Sequence, residues 1–110
     1  MTVEQMANAL SATVRCGGDS MSREICGCYC GDLLSMVMGR AKADDIWLTV
    51  MGNMNSVAVA TLADVACILL CEGVEMDAEG EAKALQQDVP VLQIDLPVYE
   101  TAAKIAALLG

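Results

Sequence analysis

The second half of the chain alternates between short apolar runs and segments in which apolar residues recur every three or four positions. Unbroken apolar runs of this length are typical of strands buried on both faces of a parallel sheet, and the spaced segments are typical of helices that pack by one face. The pattern therefore predicts three strand and helix pairs. The strands are Ile46 to Met51, Cys67 to Cys71 and Val91 to Ile94, and the helices run from about Asn55 to Ala63, Asp77 to Gln87 and Pro97 to Leu109.

The first half of the chain is less regular. Thr2 and Gln5 have the spacing of a capping box and precede an apolar helical face, which predicts a helix from Thr2 to Leu10. Two strands separated by a glycine-rich turn follow, and they could pair with each other across that turn, in a register that the sequence does not determine. The elements are a strand at Ala12 to Cys16, a turn at Gly17 to Ser20, a second strand at Arg23 to Gly31 and a short helix at Asp32 to Gly39.

These elements predict an α/β fold class, a layered α/β sandwich with a parallel or mixed sheet and a Rossmann-like β-α-β-α-β-α second half. We expect one domain over residues 1–110. The helix from Asn55 to Ala63 has almost no polar face, so it must be covered on more than one side, by the amino-terminal half or by a second subunit.

Three cysteines alternate along the second predicted strand, so Cys26, Cys28 and Cys30 share one face of it. We interpret this cysteine row as interior packing, because free cysteine behaves as a small buried hydrophobe. The alternative is a metal or iron–sulfur site in which Cys16, brought close by strand pairing, is a fourth ligand. The spacing disfavours that alternative, since paired metal ligands normally have two residues between them.

The composition of the chain argues against several classes of function. The chain has 15 acidic and 6 basic residues, a net charge of −9 and no histidine. The charge argues against binding of nucleic acid or of an anionic membrane surface, and the lack of histidine removes histidine-dependent nucleophiles and metal sites. Six cysteines without a secretory signal at the start of the chain indicate free thiols in the cytoplasm. The hydrophobic content of 55% suggests that some apolar surface is buried against another subunit.

A ligand of an open α/β sheet binds beyond the carboxyl ends of the strands. The candidate ligand-binding residues are Arg23, Asp32, Asn53 and Asn55. Asn53 and Asn55 follow the first strand of the second half, where they either orient a ligand or cap the helix, and capping is favoured. Asp32 is also expected to cap its own helix, and Arg23 is placed to help hold an anion, although a solvated surface position is favoured for it. No phosphate-binding glycine loop follows any strand. The carboxylates lie in links and first helical turns rather than in apolar settings, so we predict no enzymatic activity and no cofactor.

Several segments resemble the DRTGG domain family. The most specific is the run Gly-Cys-Tyr-Cys-Gly-Asp-Leu-Leu-Ser at 27–35, and 23–25, 37–39, 46–49, 55–60 and 68–73 extend the resemblance over most of the chain. The Asp-Arg-Thr-Gly-Gly letters that give the family its name do not occur here.

The resemblance implies a fold similar to the amino-terminal domain of HPr kinase, pairing as a homodimer, and a non-catalytic regulatory or accessory role. Relatives are fused to CBS domains or to phosphotransacetylase, and stand-alone members are encoded beside iron-only hydrogenase genes. The implied partner is therefore a hydrogenase or other redox-enzyme subunit, in hydrogenase, redox or fermentative metabolism. Two alternatives stay open: an iron–sulfur or metal-binding protein that uses Cys16, Cys26, Cys28 and Cys30, and a sensor of a small ligand such as a nucleotide.

Overall fold

A mixed sheet with helices on both faces is the framework of the molecule. The computed structural model describes residues 1–110 and places five strands and five α-helices along them. The elements are α1 (Val3–Leu10), β1 (Thr13–Cys16), β2 (Gly27–Cys30), α2 (Leu34–Arg40), β3 (Asp45–Thr49), α3 (Met54–Ala63), β4 (Cys67–Leu70), α4 (Ala78–Gln87), β5 (Val91–Gln93) and α5 (Val98–Leu109), with a short 3-10 turn at Asp19–Ser22.

The strand order across the sheet is β1-β5-β4-β3-β2. Strands β2 to β5 are parallel, and β1 pairs antiparallel with β5. The predicted α/β class and the β-α-β-α-β-α second half are confirmed, and the sheet is of the mixed kind. The pairing of the first two strands that the sequence allowed does not occur, because β1 and β2 lie at opposite edges of the sheet. Residues 17–26 include the 3-10 turn and cross from one edge to the other, so they do not form a tight hairpin loop.

Helix α1 begins as its sequence predicts. Thr2 Oγ1 accepts a hydrogen bond from the Gln5 N–H at 3.1 Å, and Gln5 Oε1 accepts one from the Thr2 N–H at 2.9 Å. Both partners of the capping box are therefore present and satisfy N–H groups that have no partner within the helix. The face that the helix buries carries Val3, Met6 and Leu10.

The sheet separates two apolar clusters. Side chains alternate between the faces of a strand, so neighbouring residues of β3 and β4 belong to different clusters. One cluster joins α1 and α5 to the sheet face that carries Ile46, Leu48, Leu69 and Leu92. The other joins α2, α3 and α4 to the face that carries Trp47, Ile68, Leu70 and Val91. The result is the three-layer arrangement that fully apolar parallel strands require.

Helix α3 is covered on more than one side, as its apolar composition predicts. It packs between α2 and α4 and lies over β4. Its Val57 is completely buried, whereas Leu62, near its end, is 72% exposed. Helix α2 belongs to the amino-terminal half, so one of the two sources of cover expected from the sequence is confirmed.

The two clusters do not account for all of the apolar side chains, because ten large hydrophobic residues remain exposed. The mean hydropathy is +0.48. No helix of the structure combines the length and the apolarity needed to cross a lipid bilayer.

Two glycines in helices have opposite surroundings and give a test of the packing. A Cβ on Gly80, in α4, would collide with the buried Met76 Sδ and would come within 3.0 Å of the backbone carbonyl carbon of Asn53, whereas a Cβ on Gly39, in α2, would meet nothing within 4 Å. We expect Gly80→Ala to lower the free energy of unfolding by about 1–3 kcal/mol through overpacking. We expect Gly39→Ala to raise it by about 0.5–1 kcal/mol through helix propensity. Urea unfolding followed by the fluorescence of Trp47 measures both, and a Gly80→Ala protein as stable as the wild type would contradict the close approach of α4 to α3.

Candidate functional site

The cysteine row lies on an edge strand. Strand β2 pairs only with β3, with Cys28 opposite Ile46 and Cys30 opposite Leu48, so the row is on the sheet face that packs against α1 and α5. Cys26, Cys28 and Cys30 are nevertheless all exposed. The prediction that the row is interior packing is wrong, because an edge strand has a neighbouring strand on one side only. The buried thiols are Cys16, Cys67 and Cys71.

The structure does not assemble the four-thiolate site considered as an alternative. Cys16 lies on β1, at the opposite edge of the sheet from the row. Within one copy of the chain no three cysteine, aspartate or glutamate side chains converge where they would hold a metal ion. Side chains two residues apart in a strand point in parallel about 6.6 Å apart, which is unlike the tight tetrahedron of a zinc site. The thiols of a single copy therefore do not fit such an ion.

The thiol of Cys28, in the middle of the row, is not an activated nucleophile. The protein around Cys28 displaces part of its water, and the neighbouring Cys30 thiol adds to this, so the pKa of Cys28 is raised to about 12. Thiolate rather than thiol is the reactive form of cysteine. Cys28 is therefore protonated and weakly reactive near neutral pH, as suits a structural or contact role.

Asp32 joins the ends of two strands instead of capping a helix. Its Oδ1 accepts hydrogen bonds from Thr49 Oγ1 at 2.7 Å and from the Val50 N–H at 3.0 Å. The predicted cap is wrong, since Leu33 is the residue at the start of α2. The carboxylate instead ties the segment after β2 to the end of β3 and satisfies the hydroxyl of a fully buried threonine.

Asn53 caps α3. Its Oδ1 accepts hydrogen bonds from the Asn55 N–H at 2.9 Å and from the Ser56 N–H at 3.3 Å. The capping interpretation is confirmed for Asn53, whereas Asn55 lies inside the first turn with an exposed side chain. Asp32, Asn53 and Asn55 are all in segments that follow β2 and β3, so the fold brings these three residues to the carboxyl end of the sheet.

Arg23 lies at the other end of the strands. Its Nε donates to Asp44 Oδ1 at 2.6 Å, and its Nη2 donates to the Asp64 carbonyl at 2.6 Å and lies 3.0 Å from Asp64 Oδ1. These two acidic residues precede β3 and β4, so Arg23 does not join Asp32 and the two asparagines. Its charge is already balanced by the two carboxylates.

The broadest cleft among the strand ends is acidic. It has a volume of about 500 Å³, opens beside β4, β5 and β1, and is lined by Glu72, Glu75 and Asp95 together with the polar side chains of Thr13 and Gln93. Three carboxylates repel phosphate groups and favour cations. The cleft is therefore a poor site for an anionic ligand.

An exposed apolar surface adjoins the cysteine row, and it was not predicted from the sequence. Helix α2 buries only Val37, whereas Leu33 is 61% exposed, Met36 45% and Met38 48%. The sequence does contain a signal for this surface. Residues 33–38 have no charged side chain and five apolar ones, and one face of so short a helix cannot bury all five. We call the exposed parts of residues 26–38 the β2–α2 surface.

Comparison with known proteins gives two matches. The family model of the DRTGG domain matches residues 5–108. Among solved structures, the fold is similar to that of the CBS and DRTGG domains of the regulatory region of Clostridium perfringens pyrophosphatase, solved with its activator diadenosine tetraphosphate, at a TM-score of 0.78 and 11% identity. That match covers 94% of this chain and 45% of that one, so the chain spans less than half of the neighbour's length. No curated protein matches the chain.

The capping role of Asn53 predicts a specific stability pattern. Asn53→Ala removes the acceptor of two backbone N–H groups and should lower the free energy of unfolding by about 1 kcal/mol, while Asn53→Asp keeps an acceptor and should change it little. Asn55→Ala is the matched control, and we expect a change within about 0.5 kcal/mol. Urea unfolding measures all three, and the opposite order of the two alanine variants would contradict the assignment of the cap.

The buried thiol of Cys71 predicts a loss of stability in alkali. Burial raises the pKa of Cys71 from an ordinary value near 9.0 to about 11, against a smaller lowering effect of a hydrogen bond with Thr101. The stabilising effect of the neutral folded thiol is complete below pH 9 and is lost as the pH rises from 9 towards 11. Cys71→Ala and Cys71→Val do not ionise, so the free energy of unfolding of both should fall less over this interval than that of the wild type. Equal falls in all three proteins would show that the thiol does not contribute.

Proposed function

The chain belongs to the DRTGG domain family, and from this membership we propose that it is a non-catalytic regulatory or accessory module of the cytoplasm. In this proposal the chain pairs as a homodimer and acts by binding other proteins of redox or fermentative metabolism. The observation that carries the proposal is the β2–α2 surface. A bare sheet edge and a run of exposed apolar side chains are adjacent there, and both features mark sites of protein association.

The chemistry of the β2–α2 surface suits protein contact. Three of its large side chains, Leu33, Met36 and Met38, are exposed to nearly half or more of their area. Methionine is flexible and polarisable and adapts to partners of different shape. Asp32, the one charged residue of this surface, is already engaged by Thr49 and Val50.

The regulatory part of the proposal is supported by the solved neighbour. In that pyrophosphatase the DRTGG domain belongs to the regulatory region. The proposal that the partner is a hydrogenase or other redox-enzyme subunit rests on the family resemblance alone. The acidic cleft beside β4 and β5 disfavours the alternative of a nucleotide sensor, since Glu72, Glu75 and Asp95 would face the phosphates.

The homodimer is tested by light scattering during gel filtration. We expect a mass about twice the 11.5 kDa of one chain. Leu33→Glu puts a negative charge on the β2–α2 surface of a chain that is already negative, and we expect it to be monomeric. Leu62→Glu changes a leucine on α3 that is even more exposed than Leu33, and this variant should remain dimeric, which separates a local effect from a general effect of charge. A wild-type protein that is monomeric at every concentration would contradict the proposal.

The regulatory role is tested by measuring the activity of a partner enzyme, because the chain itself is proposed to have none. The chain is added to purified redox enzymes of its own organism, beginning with a hydrogenase, and the rate of each enzyme is compared with and without the chain. A change in rate that is lost with Leu33→Glu and kept with Leu62→Glu supports the proposal. Rates unchanged in all of these enzymes would contradict it.

A further inference from the structure

Building on the proposed homodimer, we infer that the second copy binds at the outer edge of β2: the two β2 strands pair antiparallel about a two-fold axis and join the two five-stranded sheets into one. This names the surface of association and its partner, a second copy of this chain. It also places the cysteine rows of the two copies side by side.

The two edges of the sheet differ in their protection. Strand β1 is interrupted by an irregularity in its register between Val14 and Cys16, and its Arg15 lies 2.6 Å from Glu81 and 3.5 Å from Glu75. Bulges and charged side chains are the means by which proteins prevent association of sheet edges. Strand β2, by contrast, is Gly-Cys-Tyr-Cys, with no charge, no proline and no irregularity in its pairing to β3.

Charge selects the same edge. Each copy carries a net charge of −9, so two copies repel each other over most of their surfaces. Residues 25–39 contain one charged residue, Asp32, in a chain in which 19% of residues are charged. Asp32 already accepts hydrogen bonds from Thr49 and Val50. Of the two sheet edges, β2 is therefore the one that a second, equally negative copy approaches at the lower electrostatic cost, since β1 carries Arg15 beside Glu75 and Glu81.

Symmetry determines the direction of the pairing. A two-fold axis normal to the sheet reverses the direction of a strand, so identical strands that meet at such an axis are antiparallel. Paired in this way, the outward backbone N–H and C=O groups of each β2 bind those of the other copy, and no strand edge remains exposed there. The uncharged start of α2, with the exposed Leu33, borders this contact.

The pairing brings cysteines together in every register that is centred on β2. A two-fold axis normal to the sheet keeps each face on its own side, and residues directly opposite one another point to the same face. Cys28 and Cys30 occupy that face of β2, and Cys26 precedes them in the same alternation. A register centred on any residue of β2 therefore places a cysteine of one copy opposite a cysteine of the other. The Cα atoms of such pairs are about 4.5–5.5 Å apart, within the range of about 4.4–6.8 Å that a disulfide spans.

Oxidative cross-linking tests this geometry. Treatment with diamide joins one thiol of each copy in an S–S bond, and the two protons and two electrons released reduce the N=N bond of diamide to a hydrazine. On a non-reducing gel we expect most of the wild-type protein at twice the 11.5 kDa of the monomer. We expect the band to be lost in the triple Cys26→Ser, Cys28→Ser and Cys30→Ser variant, which should still be dimeric by light scattering. Cys16→Ser, at a buried position on the other edge, is the control that should keep the cross-link.

A second measurement does not depend on thiol reactivity. Hydrogen exchange of the β2 amides should be slower in the wild type than in the Leu33→Glu variant, while exchange in β4 should be unchanged. A dimer by light scattering that neither cross-links through the row nor protects β2 would overturn the inference and leave the homodimer standing. A monomeric wild type would overturn both, so the two failures are distinguishable.

Discussion

The burial of β3 and β4 on both faces is the constraint on which the rest of the structure depends. Every residue from Asp45 to Thr49 and from Cys67 to Leu70 is buried. A strand buried in this way needs a helix layer above and below it, because neither face can be left to water. The parallel crossovers α2, α3 and α4 supply one layer, and α1 and α5 supply the other. The function proposed here is therefore limited to what this three-layer body leaves uncovered.

Besides the outer faces of the helices, it leaves uncovered two sheet edges and the loops at the ends of the strands. The β1 edge is interrupted and charged, with Arg15 held by Glu81 and Glu75. The β2 edge is regular and uncharged, and it is continued by the exposed apolar side chains of α2. A chain with few basic residues and acidic clefts has little with which to hold an anionic substrate. The uncharged β2 edge and its apolar border are the features on which the proposed contact with another protein rests.

The six thiols illustrate how position rather than residue type decides chemistry. Cys67 is fully enclosed, and burial strongly raises its pKa. Cys28 lies on the same face of the sheet but two strands away, at the edge, where its side chain is exposed. The first is core and the second is surface, although the two have similar sequence surroundings of apolar and small residues.

The sequence by itself determined the elements and their class, because apolar periodicity, the capping box at Thr2 and the cap at Asn53 depend on residues close together in the chain. The DRTGG resemblance was determined at the same level, by the run at 27–35. Only the tertiary structure decided that β2 is an edge, that Asp32 reaches Thr49 instead of its own helix, and that Arg23 lies at the far end from the asparagines. The physical reason is that each strand can pair with several other segments that are distant in the sequence and nearly equally apolar, so the local sequence does not select the partner. An alternating pattern shows which residues share a face, but not whether another strand or helix covers it.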